Sequence, residues 1–430
     1  MSRDSVLDFL SSILVIIAGL IIGLFVILFS DSTRVLLPSI IMVVSIVLGL
    51  AIKYLGGRLQ LVNTSIVKAA SVGVVMIGFI IGFIIMNNNS EVAIRAFTTI
   101  LTLGAGSMRN IGNVLLFATP IILTGLSVAF AYKTGLFNIG ASGQFMFGAF
   151  TAIYISIEFT FLPPSLRILT SILAAALAGA LWGAIPGMLK AFRNVHEVIA
   201  CIMTNYIAAY ITTHLITQNI FDQGRVTTLP LPEDSNLPTL GMENIFYEVT
   251  EVGIRHSRVN LGIIIAILIA VLVYIILQKT VFGYELKACG FNRDAARYAG
   301  INEKAKMISS MMICGALAGV GGALNFMNGT GLSMRATEEL AMEGFTGISV
   351  AFLGLNNPIG IIFSGLFVSY IMFGGTGIQG LGFNIELVET VISVIIYFCA
   401  FVLVVKTFLG RIVDKVFRKK QNVTGEGETS

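Results

Sequence analysis

"GYELKACGFNRDAARYAGIN", residues 283–302, decides how this chain folds. Glu285, Lys287, Arg293, Asp294 and Arg297 crowd into it, while long apolar runs stand on both sides. A stretch this wet between runs that greasy is a solvent-exposed connection, and the runs are membrane spans. The connection also has helix signals of its own. Asn292 is a good N-cap, Asp294 suits the positive helix start, and Gly300 can end the helix in a left-handed conformation. The spacing predicts a short helix over 293–299 inside a loop of 279–305.

Composition carries the same message across the whole chain. Hydrophobic residues make up 56% of 430 and charged ones 12%, against about 25% charged in an ordinary soluble domain. The mean hydropathy of +0.91 excludes a soluble domain on a single anchor. The first apolar run, 13–29, lacks an A-x-A-like cleavage site and reads as a retained span. Cys201, Cys289, Cys314 and Cys399 lie far apart, and His196, His214 and His256 lack ligand spacing. Neither a disulfide framework nor a metal site is indicated.

About 20 apolar residues cross the hydrocarbon core. Spans fall near 13–29, 35–52, 66–86, 113–131, 136–156, 167–190, 197–217, 261–278, 306–326, 343–355, 358–374 and 385–405. The tenth is short, so the expectation is an all-α polytopic membrane protein of 10–12 helices, some short or interrupted. With the N-terminus inside, 19 of the 27 basic residues, including every Lys, fall on the inner side, as the positive-inside rule requires. Both termini are then cytoplasmic. Residues 327–342 join the outer connections, with Arg335 among the eight outer Arg.

The chain divides into extra N-terminal spans with the start of an outer interfacial segment (1–99), a core (100–405) and a basic, partly disordered tail (406–430). Residues 87–112 read as an interfacial helix ending at a Gly-rich turn. Residues 218–258 are an acidic, Pro-bearing outer loop that caps the mouth or docks a partner. Inner-leaflet lipid headgroups account for the basic half of the tail, and nothing calls for nucleic acid.

No GxxxxGK[ST], GxSxG or paired catalytic carboxylates occur, so transport rather than catalysis is expected. The interior is polar without charge. Asn138, Ser142 and Gln144 sit in "GLFNIGASGQFMFG" (135–148), and Asn325 and Asn328 in "GALAGVGGALNFMNGTGLS" (315–333). Interrupted spans of this kind expose amides to a substrate near mid-membrane; close helix packing through small residues is the competing explanation. Asn356, Asn357 and Pro358 join a short span to its successor. Mid-membrane amides suit a polar, uncharged solute. Glu386 and Glu389, one helical turn apart, would be the ionisable groups of an ion-coupled secondary carrier, the rival reading.

Residues 283–302 resemble the coupling segment of permease subunits in ATP-binding-cassette importers of the branched-chain amino acid and simple-sugar branch. The matching positions are Gly283, Ala288, Gly290, Asn292, Ala295, Ala296, Ala299, Gly300 and Ile301, with Arg293 opening the displayed helix. "ATPIILTGLSVAFAYKTGLFNIGASGQFMFGA" (118–149) resembles the family's first-half signature, in the form of nucleoside permeases served by lipoproteins of the basic-membrane-protein type. The resemblance implies a type II-like importer permease in a bacterial cell membrane, carrying nucleosides or, alternatively, simple sugars. It also implies a second permease subunit (a paralogue or this chain itself), cytoplasmic ATPase subunits that bind ATP and Mg, and an extracellular substrate-binding lipoprotein. This chain would hold no cofactor. Spans one to three resemble the longer member of a heterodimeric pair.

Overall fold

The computed structural model describes residues 90–381, Val252 excepted, with Glu389, Thr390, Ser393 and Val394. The spans expected at 13–29, 35–52 and 66–86, most of that at 385–405, Glu386 and the basic tail lie outside the described residues. The chain forms two compact units, Met1–Thr99 with Gly377–Ser430, and Ile100–Thr376; the second holds α2 to α11 below and the last residues of α1.

Eleven helices occur among the described residues: α1 (Ser90–Thr102), α2 (Met108–Lys133), α3 (Ala141–Glu158), α4 (Pro164–Arg193), α5 (Glu197–Asn219), α6 (Gly262–Lys279), α7 (Val281–Phe291), α8 (Arg293–Tyr298), α9 (Glu303–Phe326), α10 (Met342–Leu353) and α11 (Pro358–Thr376). Six are long and apolar enough to cross a membrane, so the polytopic all-α reading holds. The expected 87–112 segment divides: α1 is followed by a tight turn, and Ser107 caps α2 by accepting from the Asn110 N–H at 3.2 Å. The crossing helix thus starts five residues before the apolar run does.

α9 is the central helix, packed on α2, α3 and α4. Its small residues make this closeness possible. A Cβ on Gly315 would collide with the Gly179 carbonyl oxygen, one on Gly319 with that of Ala175, and one on Gly322 with that of Phe145. The second Gly-rich run is helical and closely packed as far as Phe326, after which Gly329 and Gly331 turn at positive φ; the first is interrupted at 134–140 before α3 begins. α10 has 12 residues and ends where Leu355 and Asn356 take positive φ of 56° and 51°.

The connection 220–261 carries two small antiparallel ribbons, β1 (Phe221–Asp222) with β2 (Thr227–Thr228) and β3 (Tyr247–Thr250) with β4 (Gly253–His256). Asp234 from this segment pairs with Arg167, whose side chain is buried near the start of α4. Ser257 donates to Asn113 at 2.9 Å, and Arg258 to the Gly329 carbonyl at 2.6 Å. These bonds hold the connection against the ends of α2, α4 and α9.

Residues 327–342 start against the 220–261 connection, where Met334 O accepts from Thr228 N at 2.8 Å, and the chain then runs non-helically along the bundle to α10. Non-helical backbone at membrane depth needs partners for its carbonyls, and hydroxyls supply them. Thr213 donates to Thr337 O at 2.8 Å, and Ser142 to Ala341 O at 2.8 Å. α10, 12 residues long, therefore begins beside Ser142 at the start of α3 rather than at the end of the bundle that carries the 220–261 connection.

Candidate functional site

The break after α2 starts at Thr134, whose hydroxyl caps Ala131 O at 2.7 Å and meets the Ser310 hydroxyl at 2.8 Å. Gly135 follows at φ 70°, a conformation that favours glycine. The chain then turns into α3, and the amides predicted from the sequence meet there. Asn138 Nδ2 donates to Gln144 Oε1 at 2.8 Å and to Ser127 Oγ at 3.0 Å, while Gln144 Nε2 donates back to Asn138 Oδ1 at 3.1 Å. Both side chains are buried. Their polar groups are spent on each other, which pins the break in one conformation.

Asn205 on α5, which the sequence reading passed over, completes this arrangement. Its Nδ2 donates to Ile139 O at 2.9 Å and its Oδ1 accepts from Gly143 N at 2.9 Å. A lone Asn in the apolar run "IACIMTNYIAAYI" was the available signal. Ser142 holds the entry to α10, as described above. Asn325 and Asn328 are elsewhere. Asn325 Nδ2 donates to Glu343 Oε1 at 3.3 Å, and Asn328 orders the turn after α9 by donating to Asn325 O at 2.6 Å. Glu343 is the second residue missed: it opened a run chosen for apolarity.

At the end of the bundle marked by Lys133, Lys190 and Lys279, the connecting segment forms two helices rather than one. Thr280 caps α7 by accepting from Gly283 N at 3.1 Å, and Gly283 lets α7 fold tightly back on the last turn of α6. Asn292 caps α8, its Oδ1 accepting from Ala295 N at 3.1 Å, and Gly300 leaves α8 at φ 83°. α8 covers 293–298 with Ala299 as its C-cap. Leu286, Cys289 and Ala296 face inward, and the Glu285–Lys306 ion pair at 2.5 Å ties α7 to α9. Burial pushes the Cys289 thiol above its ordinary pKa, so it stays protonated and inert. Phe291 and Tyr298 point outward, 91% and 94% exposed.

The two regions touch through glycine. A Cβ on Gly290 of α7 would lie 2.7 Å from Lys133 O and 2.9 Å from Gly135 N, and one on Gly135 would lie 3.0 Å from Gly290 Cα. The displayed segment thus bears directly on the backbone of the helix break. Beside this contact opens a cleft of about 680 Å³, lined by Tyr132, Phe137, Glu197, Lys287, Phe291 and Phe352 among others.

Six helices long and apolar enough to cross a membrane, a pinned break and a capped double-helix projection fit a membrane transport subunit of the permease class. The chain belongs to the family described as branched-chain amino acid transport system / permease component, whose model matches residues 110–414. It is similar to the nucleoside ABC transporter permease protein NupB of Lactococcus lactis subsp. cremoris (strain MG1363), 35% identical over 82% of this chain and 96% of the relative. Similarity extends to the guanosine ABC transporter permease protein NupP of Bacillus subtilis (strain 168), at 35% over 72% of this chain and 86% of that one. The glucose ABC transporter permease protein TsgB13 of Haloferax volcanii is 30% identical over 66% of this chain and 74% of its own length. No solved structure matches.

Proposed function

We propose that this chain is a permease subunit of an ATP-driven importer for nucleosides or closely related uncharged polar solutes. The observation that carries the reading is the likeness, at 35% identity over most of the chain, to permeases named for nucleoside and for guanosine transport. The glucose permease relative matches at lower identity over less of the chain, so sugar is the second reading. The exposed rings of α7 and α8 and the family likeness support a set of partners. α7 and α8 present Phe291 and Tyr298 to a groove on a cytoplasmic ATPase, which binds and hydrolyses ATP with Mg. A second permease subunit, a paralogue or another copy, completes the path. An extracellular lipoprotein delivers solute to the 220–261 connection. In this reading the Lys133 end is cytoplasmic, as are both termini.

Gly290 against Gly135 supports the coupling role. Backbone resting on backbone transmits displacement without an intervening side chain to absorb it. The test is uptake by cells carrying the whole system, offered labelled nucleosides against ribose, galactose and glucose. Nucleoside uptake that vanishes when the ATPase is deleted is expected. Sugar uptake without nucleoside uptake overturns the cargo, and uptake that survives ATPase deletion but collapses with the ion gradient overturns the class.

A further inference from the structure

The polar network at Asn138 and Gln144 is closed and buried, so it offers a passing solute nothing. A second polar group, half-buried, lies beside an exposed face. Ser310 is level with the end of α2 through its bond to Thr134, and Asn325 stands fifteen residues further along α9, about 22 Å at 1.5 Å per residue. That height is about three quarters of the way across a hydrocarbon core of about 30 Å. Asn325 and its partner Glu343 therefore lie inside the core, nearer the end of the bundle that carries the 220–261 connection. Gly347, one turn along α10 from Glu343, lies against Thr124 in the middle of α2, which fixes the same height independently.

The neighbouring surface sets polar groups among exposed apolar ones, Met203, Ile207 and Ile211 of α5. Glu338 and Glu339 are exposed on the extended segment, which is tied to α5 by the Thr213–Thr337 bond. One turn before Thr213 stands Tyr210, with Tyr206 a turn below it, 56% and 51% exposed. The exposed face of α4 shows what lipid contact looks like in this chain: Leu169, Leu173, Leu177 and Leu181, uninterrupted. Carboxylates at membrane depth face a water-filled cavity or a polar partner, never acyl chains.

We infer that Glu343, Asn325, the exposed Glu338 and Glu339, and the Tyr206–Tyr210 stripe form this chain's wall of the solute path, with Glu343 the residue that grips the solute's hydroxyls. The chemistry fits a solute with a flat ring and vicinal hydroxyls: tyrosine faces stack on the ring, and carboxylates accept from the diol. This rests on the nucleoside reading for the ring and on the geometry alone for the hydroxyls.

Two measurements on the full reconstituted transporter in proteoliposomes test it. In the first, Glu343→Gln is expected to lower solute uptake at least tenfold, while the amount of assembled complex and its ATP hydrolysis stay within twofold; Glu343→Asp restores part of the rate. Uptake at the unsubstituted rate overturns the role of Glu343. The comparison uses whichever solute the unsubstituted complex carries, so failure to carry nucleosides refutes the cargo and leaves the Glu343 result readable. In the second, which needs no turnover, Tyr210→Cys and Glu338→Cys are expected to react with a membrane-impermeant methanethiosulfonate above the background of the unsubstituted chain, and less so with solute present. Leu177→Cys is expected to stay silent. Equal silence at all three positions makes the face a dry interface and overturns the path.

Discussion

Gly290→Ala is the sharpest test of the link between the displayed helices and the break in the membrane. The added methyl would sit 2.7 Å from Lys133 O, 2.9 Å from Thr134 C and 2.9 Å from Gly135 N. All three are backbone atoms, so no rotamer change relieves the contact; α7 must retreat by roughly 0.7 Å to reach ordinary van der Waals separation. Two energies compete. Alanine favours a helix over glycine by about 1 kcal/mol, so α7 itself becomes a better helix. Overpacking against a fixed wall costs about 1–3 kcal/mol, so the contact becomes the weak point. The expectation is a complex that assembles normally and hydrolyses ATP, with solute imported per ATP reduced about 5- to 150-fold, the factor that 1–3 kcal/mol represents in a coupling constant. The assay is proteoliposome uptake alongside phosphate release. An unchanged ratio of solute to ATP would refute the idea that movement passes through Gly290 and Gly135.

Three further outcomes follow from the same structure. Asn138→Leu strands the Gln144 amide and the Ser127 hydroxyl, at about 1–3 kcal/mol for each buried group left unpaired; a lower thermal midpoint of the purified complex is expected, and Asn138→Leu with Gln144→Leu should cost less than the sum of the two. Phe291→Ser and Tyr298→Ser remove only exposed surface, so permease yield should hold while co-purification of the ATPase falls at least fivefold; undiminished co-purification removes these rings from the interface. Gly315→Leu drives a side chain into the Gly179 carbonyl, and the expected result is loss of folded protein from the membrane, read by fluorescence-detected size-exclusion chromatography.

Much of the architecture was legible because membrane helices announce themselves by length and apolarity. α2, α4, α5, α6, α9 and α11 all fall where apolar runs predicted them. The α8 cap was equally legible, since Asn292, Asp294 and Gly300 act within one short segment. What could not be read were pairings across long separations. Asn205 serves residues 62 and 66 positions away, and Ser142 serves Ala341 at 199; no local pattern encodes such distances. The course of 332–341 was hidden for another reason. Hydropathy recognises a span by its lack of polar groups, whereas this segment runs along the bundle carrying Glu338 and Glu339, its backbone bonded by Thr213 and Ser142.

The glycine contacts among α3, α4 and α9 have a mechanical consequence. Helices held by interdigitated side chains can slide by exchanging rotamers, but where carbonyl oxygen meets Cα there is nothing to exchange. Gly179 on Gly315 and Gly148 on Gly319 fuse these three helices into one stiff beam. Any conformational cycle must then move that beam as one body, and bending falls to the elements outside it.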